Sequence, residues 1–513
     1  MVIFMVLVDT SMFRTLPHSP YLPYALYRAE QVRALDQAAI AGGISGADLM
    51  ERAGHAAYAL LRRLWPEARR LTLLCGPGNN GGDGYVVARL ARSEGLAVHV
   101  LQLGSLDRQG PDAEAKLAAW RAAGGELETY RDLPKATDLI VDALLGIGLE
   151  RPLAGDWARA VQAVNDQRAP VLAIDIPTGL HADRGQVLGE AVRAQATLTF
   201  IGLKQGLFTG AGPDRCGDIH FDGLGVTASL YAREILAARR LDWPKVSRLI
   251  APRRRDAHKG DFGRVLVVGG APGYSGAARL AGEGALRAGA GLVAVATHPD
   301  HAVGLNQGRP ELMVRGVAKP AELDGLLGWA EVIALGPGLG REDWGRALLY
   351  RVLEVDKPLV VDADGLQGLA EAGLRREDWV LTPHPGEAAR LLGCANTEVQ
   401  ADRFTAVRRL RDTYGGTVIL KGAGTLVLGP GERPPGVCSQ GNPGMASGGS
   451  GDVLAGMVAA LRAGGLPATD AAEVGVCLHA AAGDLAASGG ERGMLASDLI
   501  AAIRPVLNGV SQP

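Results

Sequence analysis

A run of glycines and small hydroxyl residues that ends in an acid is the segment of this sequence best suited to chemistry. It precedes an apolar stretch of helical length, Val453–Leu461, and reads Gly441-Asn442-Pro443-Gly444-Met445-Ala446-Ser447-Gly448-Gly449-Ser450-Gly451-Asp452. Glycines at a helix start offer backbone N–H groups to a phosphoryl group. The Asp452 carboxylate could then remove the proton from an attacking hydroxyl. We predict phosphoryl transfer here; a glycine-rich turn capped by Asp452, without a ligand, is the alternative.

A second glycine-rich segment, Cys75–Gly84, follows a predicted strand and precedes a predicted helix. Gly76, Gly78 and Gly81 match the G-x-G-x-x-G dinucleotide pattern. A hydride-transfer enzyme also needs an acid at the end of the next strand, but Val100–Gly104 contains none. We therefore predict an anion-binding loop rather than a standard NAD-dependent dehydrogenase, with a turn that binds no ligand as the alternative.

Polar residues also follow three predicted strands of the first half, where parallel sheets bind ligands. The three segments are Asp142–Gly148, Asp175–Gly179 and Gly202–Gly206. Asp142 or Asp175 could instead simply cap the next helix. Together with Asn80 and Thr178, however, these carboxylates offer hard oxygen ligands to a monovalent or divalent cation.

Buried strands that alternate with helical stretches must position these residues, and this alternation predicts α/β domains with parallel sheets. In the first half, strands are predicted at Leu71–Cys75, Ala97–Leu103, Leu139–Ala143, Val171–Ile176 and Thr197–Ile201, with helices at Tyr85–Gly95 and Asp112–Gly124. In the second half, strands are predicted at Arg264–Gly269, Leu292–Thr297, Val332–Leu335, Leu359–Asp362, Trp379–Leu381 and Thr417–Leu420. Nearly continuous apolar strands are typical of sheets covered on both faces.

Length and composition limit the classes of protein that fit. A chain of 513 residues exceeds one core, so two domains are expected. With 53 basic and 55 acidic residues, the net charge of −2 gives no reason to expect a nucleic-acid partner. Five scattered cysteines indicate reduced thiols and a cytoplasmic location. The apolar start, residues 1–8, is too short to span a bilayer, so no membrane partner is expected.

Apolar periodicity weakens between about residues 225 and 255, and we predict the domain boundary there. This region contains the basic pair Arg239-Arg240 and the basic triplet Arg253–Arg255, and we interpret the triplet as a solvated linker face. The predicted organisation is an extension at residues 1–24, a first domain at 25–235 and a second at 245–511.

The first half resembles the NAD(P)HX epimerase family, whose members act on hydrated NADH and NADPH. Four segments carry the resemblance, in order and spacing: Leu49–Gly54, Asn79–Gly84, Asp142–Gly148 and Asp175–Gly179. The resemblance covers roughly residues 25–230 and implies a Rossmann-like three-layer sandwich. The substrate-binding residues that it implies are Asn79, Asn80, Gly81, Gly82, Asp83, Gly146, Ile147, Gly148, Leu149, Glu150, Arg151, Pro152 and Asp175. It also implies K⁺ bound by Asn80, Asp142 and Thr178, where the family more often has serine at the third position.

Epimerisation at the hydroxyl-bearing carbon C6 needs a group that shuttles protons and a pocket that stabilises a ring-opened or iminium-like intermediate. Asp175 is the candidate acid/base, with Lys204 as its electrostatic partner.

The second half resembles the ADP- or ATP-dependent NAD(P)HX dehydratases of the ribokinase-like superfamily. Beside the run that ends at Asp452, the resemblance rests on His258–Val265, Gly336–Gly340, Val361–Asp364, Leu381–Glu387 and Lys421–Thr425, and it covers about residues 245–508. It implies a ribokinase-like three-layer sandwich in which Ala277, Gly338, His384 and Asp452 contact the hydrated nucleotide. The implied adenine-nucleotide residues are Lys421, Gly422, Ala423, Gly424, Thr425 and Gly451, with Mg²⁺ on the nucleotide phosphates. The loop Gly270–Gly276 departs from the commoner family loop, and His384 could instead be a packed or capping histidine.

The two resemblances together predict a bifunctional repair enzyme whose substrates are the small molecules NADHX and NADPHX. It would interconvert the R and S epimers and dehydrate the S form with ADP, or with ATP, giving NAD(P)H, AMP or ADP, and phosphate. The alternative is a ribokinase-like vitamin-precursor kinase with a noncatalytic N-terminal binding module. A homo-oligomer is expected.

Overall fold

The computed structural model describes residues 22–509, so the predicted extension at residues 1–24 lies almost wholly outside the described residues. The chain forms two compact units. The first runs to Leu207 and resumes from Ala211 to Leu236, whereas the second comprises Phe208–Gly210 and the chain from Ala237 onward. Over the described range, no helix combines the length and the apolar character that crossing a membrane requires.

The first unit is built on a parallel sheet, as predicted. Its strands are β1 (Ala25–Tyr27), β2 (Arg70–Cys75), β3 (Ala97–Gln102), β4 (Glu128–Thr129), β5 (Leu139–Ala143), β6 (Val171–Ile174), β7 (Ala196–Phe200), β8 (Leu203–Lys204) and β9 (Asp218–Asp222). Seven of them form one sheet in the order β4-β3-β2-β5-β6-β7-β9, with every pair parallel. Strand β1 pairs with β8, also in parallel.

The helices of the first unit begin and end near residues suited to those positions. They are α1 (Ala29–Ala41), α2 (Gly46–Leu64), α3 (Asn79–Ser93), α4 (Pro111–Ala122), α5 (Asp156–Asn165), α6 (Gly212–Arg215) and α7 (Ala228–Tyr231). Helix α2 starts after Ser45, whose side chain accepts a hydrogen bond from the Asp48 amide. Gly54 lets α2 approach α3 closely, because a Cβ there would lie 2.3 Å from Cβ of Val86.

The second unit has a larger sheet that is parallel except at one strand. Its strands are β10 (Ala238–Leu241), β11 (Arg264–Val268), β12 (Leu292–Thr297), β13 (Met313–Gly316), β14 (Val332–Leu335), β15 (Leu359–Val361), β16 (Trp379–Leu381), β17 (Thr417–Leu420), β18 (Thr425–Leu428) and β19 (Gly436–Cys438). Their order is β13-β12-β11-β14-β15-β16-β17-β18-β19-β10. Strand β18 runs antiparallel to β17 and β19.

The core of the second unit contains a buried helix, α16 (Ser450–Ala463), that packs closely against α9 (Ser275–Ala288). All its helices are α8 (Trp243–Val246), α9 (Ser275–Ala288), α10 (Asp324–Trp329), α11 (Asp343–Leu353), α12 (Asp364–Ala372), α13 (Pro385–Leu392), α14 (Asn396–Ala401), α15 (Arg403–Tyr414), α16 (Ser450–Ala463), α17 (Ala468–Ala486) and α18 (Ala496–Leu507). Every residue of α16 from Val453 to Leu461 is buried, which explains its apolar sequence. Gly456 brings α16 against α9, since a Cβ there would meet the Ala281 carbonyl at 1.8 Å.

The basic pair Arg239-Arg240, in the region where we predicted the boundary, belongs to a strand. Strand β10 pairs with β19, and the second unit continues from Ala237. Arg240 is only 2% exposed and bonds Asp242 at 3.0 Å, while Arg239 pairs with Glu473. These ion pairs let two arginines enter a sheet. The triplet Arg253–Arg255 is exposed as predicted, and the functional domain limits 25–235 and 245–511 stay predictions.

Candidate active sites

The predicted site residues of the first unit meet at one edge of its sheet. Strands β2, β5, β6 and β7 are parallel, so the segments that follow them converge. A Cβ on Gly146, after β5, would lie 3.4 Å from Oδ2 of Asp175, after β6, and 3.8 Å from Cβ of Asn80, after β2. Side chains from two segments therefore meet the backbone of a third at one place.

Asp175 lies at the centre of this edge in an unusual conformation. Its φ is +67°, a left-handed value that non-glycine residues seldom adopt and that concentrates at functional sites. Its Oδ1 pairs with Nζ of Lys204, which is fully buried. The same Nζ donates to Oγ1 of Thr199 at 2.9 Å and to the Phe200 carbonyl at 3.0 Å. Three acceptors thus fix the ammonium group against the Asp175 carboxylate.

Two further carboxyl groups surround Asp175. Asp83, in α3, is buried, and that burial, with the neighbouring charges of Asp175 and Asp36, holds its pKa well above the usual range. Burial, followed by the charges of Asp112 and Asp175, also raises the pKa of Asp36 in α1. A carboxyl with a raised pKa near a carboxyl that is paired with Lys204 gives this edge groups suited to donate and to accept a proton.

The segment Asn79–Gly84 is the start of helix α3 and not a loop, which corrects the prediction for its glycines. The amides of Gly81 and Gly82 donate to the Gly78 carbonyl, at 3.1 and 3.3 Å, so they are not free for an anion. A Cβ on Gly81 would meet the Gly76 carbonyl at 2.0 Å. These glycines allow close packing. Whether Gly81 and Gly82 contact a substrate stays a prediction.

The three predicted K⁺ ligands differ in how their polar atoms are used. Thr178 donates its amide to Oδ2 of Asp142 at 2.8 Å and its hydroxyl to Oδ1 at 2.7 Å. Burial raises the pKa of Asp142 to about 6, although these bonds oppose the rise. Asn80 is 8% exposed, and neither atom of its amide has a partner within the described residues. An orphaned buried amide beside a carboxylate and a hydroxyl is a donor set that fits a monovalent cation.

The predicted substrate loop Gly146–Pro152 is held from two sides. Arg33 of α1 donates to the Ile147 carbonyl at 3.0 Å. His181 is buried, and its Nδ1 accepts from the Asp183 amide at 3.1 Å, so Nε2 carries the proton and donates to Glu150 Oε2 at 3.3 Å. The loop itself is mostly accessible, as a substrate-binding loop must be.

In the second unit, Asp452 occupies the first turn of α16, at the end of the glycine-rich run. Burial raises the pKa of its carboxyl to about 7, and the negative charges of Asp362 and Glu387 add to the rise while Lys421 opposes it. A carboxylate with a pKa near neutrality is well matched to remove a proton from an alcohol.

Lys421 links the end of β17 to the end of β15. Its Nζ donates to Oδ1 of Asp362 at 2.8 Å and lies 3.9 Å from Oε2 of Glu387. Thr382 donates to the same Asp362 oxygen at 2.7 Å. A Cβ on Gly451 would lie 3.1 Å from Nζ of Lys421, so the missing side chain keeps the ammonium accessible from the glycine-rich turn.

The turn before Asp452 is open on one face and anchored on the other. A Cβ on Gly448 would meet nothing within 4 Å. Gly449 has φ +91° and forms the N-cap of α16. Behind it, His479 of α17 donates from Nε2 to the Ser450 carbonyl at 2.9 Å, and burial lowers its pKa to about 4. The turn is therefore accessible to a phosphoryl group and held by a neutral histidine.

His384 takes the capping position that the sequence left as the alternative to a ligand role. Its Nδ1 accepts from the amides of Gly386 and Glu387 at 3.0 and 3.4 Å, and its own amide donates to Glu387 Oε2 at 2.7 Å. Burial and the nearby Lys421 lower its pKa. Because Nδ1 is used, only Nε2 remains for a substrate.

Ala277 and Gly338, both predicted substrate contacts, are neighbours. A Cβ on Gly338, whose φ is +59°, would lie 3.0 Å from Cβ of Ala277. The loop Gly270–Gly276, which departs from the commoner family loop, packs on Gly338 through a 2.7 Å bond from the Ala271 amide to the Gly338 carbonyl.

The turn Gly422–Gly424, predicted to bind the adenine nucleotide, is braced by Phe208–Gly210. Oγ1 of Thr209 donates to the Gly424 carbonyl at 2.9 Å, and the Gly210 amide donates to the Ala423 carbonyl at 3.1 Å. Arg403, 1% exposed, donates to Thr209 Oγ1 at 3.0 Å and to the Lys421 carbonyl at 3.1 Å.

Sequence analysis left four residues of these sites without a role: Asp36, Asp362, Glu387 and His479. Asp362 and Glu387 follow predicted strands, and that position was an available signal. His479 is an isolated polar residue in the otherwise apolar stretch Val474–Ala482 of α17, which was a weaker signal. Asp36 lies in an ordinary amphipathic helix and carried no signal.

Comparison with known proteins gives matches to both units. A family model described as NAD(P)H-hydrate dehydratase matches residues 265–505, and one described as YjeF-related protein N-terminus matches residues 46–206. The chain is 46% identical to the bifunctional NAD(P)H-hydrate repair enzyme Nnr of Coxiella burnetii over 94% of its length and 99% of that protein. It is 45% identical to the protein of the same name from Escherichia coli K12, over 95% of each. A ribokinase-like superfamily protein from Enterococcus faecalis V583 is 30% identical, with a TM-score of 0.50, and covers 55% of this chain and 99% of that one.

Proposed function

Because this chain belongs to the family of bifunctional NAD(P)H-hydrate repair enzymes, we propose that each unit carries one of the two repair activities at the site described above. The first unit interconverts the R and S forms of NADHX and NADPHX. The second dehydrates the S form at the expense of ADP or ATP and returns NADH or NADPH. The observation that carries this assignment is the Asp452 carboxyl, with its pKa raised to about 7, beside an open glycine-rich turn.

The chemistry of the second site solves a leaving-group problem. Hydroxide leaves poorly because the pKa of water is about 15.7. Asp452 removes the proton from the C6 hydroxyl, whose oxygen attacks the terminal phosphorus of the nucleotide while the bond to the AMP or ADP oxygen breaks. The ring nitrogen lone pair then expels phosphate from C6, and loss of a proton from C5 restores the dihydropyridine ring.

Several residues of this chain are placed to bind the phosphoryl group and to neutralise its charge during the transfer. The turn at Gly448–Gly451 offers amides to the transferring phosphoryl group, and Lys421 supplies a positive charge directly beside Gly451. Mg²⁺ carried by the nucleotide phosphates supplies further charge neutralisation. ADP and ATP both fit this scheme, and we favour ADP from the family resemblance.

In the first unit, we assign proton transfer to and from the C6 oxygen to Asp175, held by Lys204, with Asp83, whose pKa is raised, as a second donor. Asn80, Asp142 and Thr178 would hold K⁺, which supplies a fixed positive charge beside the substrate. The free amide of Asn80 supports this assignment.

We further propose that Gly146–Pro152 contacts the substrate of the first unit and that Ala277, Gly338 and His384 contact the substrate of the second. A cytoplasmic location is supported by five free cysteines within the described residues. A homo-oligomer remains a prediction.

The direct test is Asp452→Asn in the full chain, assayed for nucleotide-dependent recovery of reduced nicotinamide absorbance. We expect a loss of about 10²–10⁴-fold in turnover, with nucleotide binding intact. Dehydration at nearly the wild-type rate would remove Asp452 from the chemistry.

A further inference from the structure

An exposed aromatic residue adjoins Gly338 and Ala277, two predicted substrate contacts of the second site. Tyr274 precedes helix α9, and 62% of its surface is exposed. It belongs to the loop Gly270–Gly276, whose sequence departs from the commoner family loop. No role has been given above to this residue.

The backbone around Tyr274 is fixed even though its ring is free. Its amide donates to the Ala271 carbonyl at 2.8 Å, and its carbonyl accepts from the Ala277 amide at 3.2 Å. A Cβ on Gly338 would lie 2.7 Å from the Tyr274 carbonyl oxygen and 2.8 Å from its Cβ. The positive φ of Gly338 and its missing side chain therefore let the two loops interlock, and they hold Tyr274 at a defined place.

The ordinary reasons for a tyrosine at this position do not apply. The ring is too exposed to be part of the core, and although Tyr274 is the N-cap of α9, its side chain makes no capping hydrogen bond. Within residues 22–509 the ring stacks on no other ring, and its hydroxyl has no hydrogen-bond partner. An amphipathic ring on a fixed backbone beside predicted substrate contacts is well suited to stack on a planar ligand group.

The position of Tyr274 along the sheet indicates which part of the substrate it meets. Asp452 acts beside Asp362, at the end of β15, whereas Tyr274 follows β11. Strand β14 separates these two strands, so their ends are about 10 Å apart. Tyr274 packs on Gly338, after β14, so it lies on the β11 and β14 side of the reacting group, where it would meet a part of the dinucleotide other than C6.

We propose that Tyr274 binds the hydrated dinucleotide by stacking on its adenine base, an inference that rests on the proposed dehydratase function. Adenine is planar and aromatic, whereas the hydrated nicotinamide ring has tetrahedral carbons and offers no complete π-face. The adenine of ADP is a separate group, because the predicted nucleotide turn Gly422–Gly424 follows β17, four strand spacings and about 19 Å from β11.

The experiment measures dehydration kinetics of full-length Tyr274→Ala and Tyr274→Phe. Stacking of a base on an aromatic side chain contributes enough that its removal should raise KM for S-NADHX by about 5–100-fold. The effect should fall on KM for S-NADHX far more than on kcat or on KM for ADP. Tyr274→Phe keeps the ring and should behave like the wild type. Tyr350→Ala, which removes a 41% exposed tyrosine from α11, is the matched control and should have no effect.

A substrate without adenine identifies the stacked group. For the hydrate of reduced nicotinamide mononucleotide, wild type and Tyr274→Ala should have the same KM. An unchanged KM for S-NADHX in Tyr274→Ala overturns the proposal. An equal rise of KM for S-NADHX and for the mononucleotide hydrate overturns it too, and so does a rise of KM for ADP alone. A wild-type enzyme that fails to dehydrate S-NADHX would overturn the proposed function, which keeps the two failures apart.

Discussion

At the scale of single residues, the environment of Asp452 predicts how dehydration depends on pH. Its folded-state pKa of about 7 means that the basic form is lost as pH falls below neutrality. We expect kcat/KM for dehydration to rise tenfold per pH unit below about 7 and then to level off, since kcat/KM reports the pKa of the free enzyme. Assays between pH 5 and 9 check this, and a flat profile across pH 6 to 8 would contradict the assignment.

The same carboxyl should make the wild-type enzyme less stable at high pH. An unfolded aspartate has a pKa near 3.9, so between about pH 4 and 7 the folded state holds a proton that the unfolded chain has released. Stability contributed by this group therefore falls as pH rises through that window, by up to about 4 kcal/mol. Asp452→Asn removes the penalty. Its Tm should exceed that of the wild type at pH 8 and match it near pH 4; the reverse order would refute this account.

Asp175 allows a parallel prediction for the first site. Because Lys204 is fixed against this carboxylate, Asp175→Asn removes the proton-accepting group and leaves a buried cation without its counter-charge. We expect epimerisation to slow by about 10²–10⁴-fold while dehydration of pure S-NADHX is unchanged. Chiral separation of the two epimers over time measures the effect. Asp166→Asn, which alters an exposed residue at the end of α5, is the control.

At the scale of elements, helix α17 positions the start of α16 through one histidine. His479 holds the Ser450 carbonyl, and its pKa of about 4 keeps it neutral at physiological pH. We expect His479→Leu to lower kcat for dehydration about tenfold or more by loosening the phosphoryl-binding turn, since removing an oriented group of this kind costs a few kcal/mol. KM for S-NADHX should change little.

A conservative variant separates positioning from general stability. His479→Gln retains an N–H donor and should recover most of the lost turnover. If both variants lose the same activity in proportion to a lowered Tm, the role of His479 is structural only.

Buried strands were predictable from sequence because their apolar runs are nearly continuous. Leu139–Ala143, Leu292–Thr297 and Thr417–Leu420 have the predicted limits. The short strands β18 and β19 were missed, because each lies between glycine- and proline-containing segments that are typical of loops. Strand β10 was missed for another reason. Its two arginines are not typical of a buried strand, and ion pairs with Glu473 and Asp242 compensate for their burial.

Some features of the candidate sites were likewise predictable from sequence, and others were not. Strand-end acids such as Asp175 and Asp452 were identifiable, because the edge of a parallel sheet collects ligands. The close packing of Gly81 on Gly76 was not, since a glycine that exposes an amide and one that admits a neighbour look alike in sequence. Nor could sequence alone indicate that the pKa of Asp83 is raised, because that depends on its burial and on Asp175 and Asp36 approaching it in the fold.

At the scale of the whole molecule, two sites on one chain predict complementation. Given a mixture of R and S NADHX with ADP, full-length Asp175→Asn should consume the S form and leave the R form. Full-length Asp452→Asn should interconvert the epimers and yield no NADH. Mixing the two variants should convert both epimers completely, because each supplies the activity that the other lacks. Incomplete conversion by the mixture would contradict independent sites.

The three residues Phe208–Gly210 affect any attempt to divide this protein. A chain cut after Leu236 would leave its C-terminal fragment without Thr209, and Arg403 would lose an acceptor deep inside that fragment. The carbonyls of Ala423 and Gly424 would lose their donors at the same time. A dehydratase fragment made by truncation alone should therefore bind adenine nucleotides poorly, and adding the short peptide back in trans is the natural remedy.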